Sequence, residues 1–138
     1  MKKTLFTTLF AGFLLFSCNN TPSSNISNKS ADITGEWNIT TVNGLSTDSV
    51  ETMPFINFTD SGTVNGNASV NLFFGRYTVN ADTLLLTEMG ATMMSAEDME
   101  IEMAIMQALS QTVTFALQDS IISVKDAEGA TILTLERK

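Results

Sequence analysis

Beyond residue 33 the apolar positions recur in two rhythms: every second residue almost throughout, and every third or fourth residue in one stretch only. Gly35 to Val42 alternates, with Trp37 and Ile39 on one side and Glu36, Asn38 and Thr40 on the other, and it closes on an Asn43-Gly44 turn. Further short strands are predicted over Pro54–Phe58, Thr63–Gly66, Ala68–Phe74, Arg76–Val79, Thr83–Thr87, Thr112–Leu117, Ile121–Val124 and Thr131–Leu135. Asp60-Ser61-Gly62, Asn80-Ala81-Asp82, Gln118-Asp119-Ser120 and Asp126-Ala127-Glu128-Gly129 supply the turns. Ala68–Phe74 is less regular: Val70, Leu72 and Phe74 alternate, while Phe73 puts a second aromatic ring on the opposite face.

Helical spacing is confined to Gly90–Gln111, where Ile101, Ile105, Ala108 and Leu109 form a stripe broadened by Met99, Met103 and Met106. Ser95 and Asp98 make a near capping box, and Glu97, Asp98 and Glu100 set negative charge at the positive end of the helix dipole. A stripe this wide predicts a helix packed into a sheet or a barrel mouth, with the methionines helping to plug it. Short strands, frequent turns and one helix together predict a mainly β, α+β fold: a small antiparallel barrel or coiled sheet with the helix packed against it.

The chain starts differently. Met1–Cys18 has two lysines, an uncharged apolar run from Leu5 to Phe16, a small residue and then Cys18. The run is too short for the ~20 residues of a spanning helix and reads as a secretory signal. Leu15-Phe16-Ser17-Cys18 resembles a bacterial lipobox, which makes residues 1–17 a lipoprotein signal peptide and Cys18 the lipidated N-terminus of the mature protein. Two or three acyl chains anchor stably where one is marginal. Asn19 to Asp32 has a single aliphatic residue among many Asn and Ser, too little to order itself, so residues 18–32 are expected to form a tether holding the domain roughly 20 Å from the bilayer. Residues 33–138, about 105 residues, are one domain.

Charge and composition narrow the chemistry. The sequence carries seven basic and fifteen acidic residues, and Lys2 and Lys3 leave with the signal. Nucleic acid and anionic membrane surfaces need clustered Lys and Arg, so neither is an expected partner. With no His and one Cys, the chain lacks the parts for His-dependent triads, Cys-His nucleophiles, structural zinc sites and internal disulfides. No cofactor or metal is expected.

The order of several short motifs over Ile33–Lys138 resembles the META domain, the family that includes the heat-shock protein HslJ. The matching pieces are Thr34-Gly35-Glu36-Trp37, Pro54-Phe55-Ile56-Asn57-Phe58, Val64-Asn65-Gly66 leading to Val70-Asn71, Gly75-Arg76-Tyr77, Ala91-Thr92-Met93-Met94 and Leu133-Thr134-Leu135-Glu136-Arg137. Family members carry Gly-Cys-Asn where Ser69-Val70-Asn71 stands, and a second Cys at the position of Ala96. The resemblance therefore implies that Val70 and Ala96 are neighbours in which packing replaces a cysteine pair. It also implies a lipocalin-like barrel with one helix, and lipid-anchored envelope proteins linked to stress or drug tolerance. The tether has no acidic cluster after Cys18, unlike surface-exported lipoproteins of the Bacteroidota type, which points to the outer membrane facing the periplasm.

Candidate site residues are few. Arg76 and Tyr77 share a strand, Asn71 falls where the family keeps its Asn, and Trp37 would line a barrel pocket, so these four are the expected contacts to a ligand or an envelope protein partner. For Asn71 the competing role is to satisfy backbone groups at a bulge or turn. Six methionines between Met89 and Met106 suggest either a copper(I) thioether site or flexible core packing, and packing is favoured. Ser49, Thr83 and Ser120, each following Asp in a predicted turn or loop, resemble O-glycosylation sequons of the Bacteroidota type. The expectation is a non-catalytic binding domain, with a carrier of a small apolar ligand inside the barrel as the alternative.

Overall fold

The computed structural model describes residues 30–97 and 99–138. The signal, Cys18 and most of the tether, as well as Asp98 of the near capping box, lie outside the described residues. The elements are β1 (Gly35–Val42), β2 (Leu45–Ser46), β3 (Phe55–Phe58), β4 (Thr63–Asn67), β5 (Leu72–Asn80), β6 (Thr83–Ala91), α1 (Glu100–Gln111), β7 (Thr114–Gln118), β8 (Ile121–Lys125) and β9 (Thr131–Arg137). Every pairing is antiparallel, and β1 pairs with both β3 and β9, so eight strands close into an up-and-down barrel. β2 is a short extension folded back on β1. Its turn uses positive φ at both Asn43 (49°) and Gly44 (80°), the conformation that a two-residue hairpin demands.

The ring is uneven at one joint. β6 and β7 are in register only through Thr83 and Thr114, supported by Leu84 N–H to Val113 O at 3.0 Å and Phe115 N–H to Asp82 O at 2.8 Å. The chain between these strands makes α1, which packs on β1 and β9 and buries Ile105, Ala108 and Leu109. Trp37, Ile39, Ile56, Phe58, Phe73, Leu84, Ile122 and Leu135 are each at most 1% exposed. An eight-stranded barrel is just wide enough for such side chains to fill it.

Four local expectations change. The predicted strands Ala68–Phe74 and Arg76–Val79 are one strand, β5, because residues 68–71 turn out of the ladder and the rest runs on through a bulge opposite Gly75. In β5 the inward aromatic is Phe73, at 1% exposed, while Leu72 and Phe74 face out at 52% and 56%. Phe73 pairs with Gly66, whose missing side chain leaves room for the ring inside the barrel. The helix begins at Glu100 with Met99 at its N-cap and no side-chain cap, so Ser95 does not start it. Met93, Met94 and Met103 are 95%, 57% and 63% exposed, so the methionines do not plug the barrel together; Met89 and Met106 pack against its core.

Candidate functional site

At the end of the barrel that α1 covers, a polar network ties three segments together. Glu102, in the first turn of α1, is 5% exposed, and its Oε2 accepts the backbone N–H groups of Val70 and Asn71, both at 2.8 Å. Its Oε1 accepts from the Asn71 amide nitrogen. That nitrogen also donates to Met94 O at 2.9 Å, while Asn71 Oδ1 accepts from Thr92 Oγ1 at 2.8 Å and from Met94 N–H at 2.7 Å. All four hydrogen-bonding positions of the Asn71 amide are thus used within the protein. Asn71 holds the chain leaving β6 against the loop before β5, and Glu102 fastens both to the helix.

Beside this network lies a cavity of about 280 Å³ whose wall includes Ser49, Val70, Ala96, Ile101 and Glu102. Val70 and Ala96, implied as neighbours by the resemblance, share this wall. Ser69, where the family has Gly, sits at φ 109°.

The expected contact residues do not converge on one site. Trp37 is fully buried, with Nε1 donating to Ile33 O at 2.8 Å and the Arg137 guanidinium 4.1 Å above its ring. Tyr77 points into the barrel, meets Phe58 edge-on at 4.9 Å and donates its hydroxyl to Thr59 O at 2.7 Å. Burial pushes its phenol pKa up, and the Asp32 and Asp60 carboxylates push it further. Arg76, the preceding residue in β5, faces the other way and is exposed. Trp37, Phe58, Tyr77 and Phe115 line none of four cavities formed by the described residues.

On the outside, Arg76 borders an open groove of about 440 Å³ with Asn65, Phe74 and Glu88. Among the described residues its side chain has no hydrogen bond or ion pair. Leu72 extends the exposed apolar surface along β5, and Met93 and Met94 stand in the segment that follows β6. Ser49, Thr83 and Ser120 are all exposed. Among the described residues no group of three or more His, Cys, Asp or Glu is placed to hold a metal ion.

Glu102 was not read from the sequence as buried, though its position carried a signal. It stands three residues before Ile105 and seven before Leu109, on the same helix face, where a charge is out of place unless partnered. Phe74 was equally legible as an aromatic flanked by Phe73, but its exposure depends on the register of β5.

Fold and site together define a class: a closed antiparallel barrel, filled by its own side chains and capped by a helix, with its uncommitted surface on the outside. The chain belongs to the META domain family, whose model matches residues 31–138. Two solved structures share the fold. One NMR structure of a protein is 19% identical, with a TM-score of 0.61 over 74% of this chain and 87% of that one. An NMR structure of a protein from Burkholderia xenovorans is also 19% identical, with a TM-score of 0.60 over 75% of this chain and 81% of the other. No curated protein matches the chain.

Proposed function

We propose that this protein is a lipid-anchored envelope protein whose META domain binds an envelope component through its outer surface and catalyses no reaction. The observation that carries this reading is the contrast between the two sides of β5. Inward, Phe73 and its neighbours fill the barrel; outward, the side chains of Leu72, Phe74 and Arg76 are exposed, and among the described residues the Arg76 guanidinium has no hydrogen bond or ion pair. A filled interior argues against the carrier of a small apolar ligand, which needs a cavity among Trp37, Phe58, Tyr77 and Phe115.

In this reading the anchor is the lipobox cysteine of Leu15–Cys18, and a tether without an acidic cluster after Cys18 favours the outer membrane facing the periplasm. Among the described residues no helix is long and apolar enough to cross a membrane. A role in envelope stress or drug tolerance follows from the family resemblance and would be exerted through the bound partner. The experiment is site-specific photo-crosslinking in growing cells, with the probe at Phe74, at Met93 and, as a control, at Ala116 elsewhere on the surface. Adducts at the first two positions, lost when Cys18→Ser releases the protein from the membrane, are the expected result. Equal labelling at all three positions would defeat the outer-face reading.

A further inference from the structure

We propose that the outer face of β4, β5 and β6 binds an acetamido sugar bearing an isolated carboxylate, with Phe74 as the stacking platform and Arg76 as the carboxylate ligand. The inference rests on the binding-module reading above and supplies its ligand class.

Phe74 is 56% exposed, yet its ring is held in place. It lies across Gly90 on the adjoining strand, so closely that a Cβ there would stand 2.8 Å from a ring carbon. The ring is therefore packed beside the Gly90 backbone on one side and open to solvent on the other. The C–H edges of a pyranose carry partial positive charge and fit the negative face of an aromatic ring.

The strand register sets amides beside this platform. Asn57 pairs with Asn65, Asn65 with Phe74, and Phe74 with Gly90, so one row across the sheet reads amide, amide, aromatic, glycine. Neither the Asn57 nor the Asn65 side chain has a hydrogen-bond partner among the described residues. Each amide offers donors and acceptors together, matching sugar hydroxyls and acetamido groups.

The next row brings charge. Arg76 is exposed and has no anion on it among the described residues, in a sequence where acidic residues outnumber basic ones by fifteen to seven. Its guanidinium is a fork suited to one carboxylate. Glu88, which borders the same groove, sits in the β6 bulge at φ 53°, where glycine would be unstrained. Its carboxylate is exposed and can accept a sugar hydroxyl. The groove, about 440 Å³, falls within the size range of small-ligand sites.

Two alternatives fit less well. The backbone groups of β5 are already paired on both sides, so an extended peptide finds no open ladder on this face. The formal net charge of −8 repels a polyanion, which leaves a mostly neutral saccharide with a single carboxylate.

The test uses the full chain, purified in detergent, and two probes: the disaccharide N-acetylglucosaminyl-N-acetylmuramic acid, with its free lactyl carboxylate, and neutral diacetylchitobiose. Backbone amide shifts are followed during titration. Both sugars are expected to move Asn65, Phe74 and Gly75, with the carboxylated one binding about fivefold or more tightly. Phe74→Ala should weaken both by about tenfold, and Arg76→Gln should remove the preference while leaving the neutral sugar unchanged. Both side chains are exposed, so unchanged melting temperatures confirm that the variants are folded. Absence of shifts at 10 mM sugar, shifts on another face, indifference to both variants, or concentration-dependent self-association that occupies Phe74 would each overturn the proposal. If the sugars fail while crosslinks from Phe74 persist in cells, the ligand class is wrong and the binding-module reading stands; if both fail, that reading falls too.

Discussion

Glu102 and Asn71 are joined twice, through backbone and through side chain, across the gap between α1 and the loop before β5. The carboxylate receives three N–H donors and Asn71 has no hydrogen-bonding position left over. Replacing Glu102 with Ala strands these buried donors, and an expected loss of about 2–5 kcal/mol follows. Glu102→Gln should cost about 1–3 kcal/mol, because its amide nitrogen would face another donor, and Asn71 cannot flip without losing Thr92 and Met94. Urea unfolding of both variants, with exposed Met103→Ala as a near-neutral control, measures these differences.

Ser69 holds φ 109° in the loop that Glu102 fastens, and its one hydrogen bond among the described residues is through its backbone N–H to Asn67 Oδ1 at 2.6 Å. Ser69→Gly keeps that bond and removes the conformational cost, so it should stabilise the domain by roughly 1 kcal/mol. Ser69→Val should destabilise it by at least as much. Calorimetric melting temperatures of the pair give the sign directly.

The protein has one tyrosine, so phenolate absorbance reports Tyr77 alone. Its titration midpoint should lie above the ordinary value of 10.0, chiefly because burial disfavours the charged phenolate and secondarily because of Asp32 and Asp60. The folded state then holds its proton more tightly than the unfolded chain. The associated stability is complete below the unfolded value and is lost as pH rises from there through the folded value. Tyr77→Phe should remove that alkaline loss, at an expected cost of about 1 kcal/mol at neutral pH for the bond to Thr59 O. Melting curves recorded from pH 8 to pH 11 for the two proteins check both statements.

How far the sequence could be read depended on how local each determinant was. The period-two strands, the Asn43-Gly44 hairpin and the apolar stripe through Ile105, Ala108 and Leu109 are set by neighbours in sequence, and they fold as that pattern requires. The barrel itself also followed, because short antiparallel strands must close or be covered. What alternation left open was which side of β5 faces in, since Leu72, Phe73 and Phe74 are all apolar. Gly66 on the facing strand decides it. The start of α1 was misplaced because the acidic residues after Ser95 suit any helix start, whereas the actual anchor, Glu102 on Val70 and Asn71, spans about thirty residues and cannot be found by spacing. Arg76 and Tyr77 were grouped because they are adjacent in sequence, and strand geometry puts adjacent residues on opposite faces.

The sharpest test of the register is Gly66. A Cβ at this position would lie 2.1 Å from Phe55 O and 2.5 Å from the Phe73 ring, so both the neighbouring backbone and a core aromatic stand in its way. Backbone cannot yield without opening the β3–β4 ladder, and Phe73 cannot yield without leaving the filled interior. Gly66→Ala should therefore destabilise the domain by about 3 kcal/mol or more, at the upper end of overpacking penalties. Gly44→Ala is the comparison: its φ of 80° disfavours a side chain, but nothing lies within 4 Å of the new Cβ, so about 1 kcal/mol is expected. Adding Phe73→Leu to Gly66→Ala should recover part of the loss if the ring is the obstacle. A double variant no more stable than Gly66→Ala would put the whole penalty on the backbone contact with Phe55. A Gly66→Ala protein with an unchanged melting temperature would mean that β4 and β5 do not pair in the register that turns Phe73 inward and Phe74 outward.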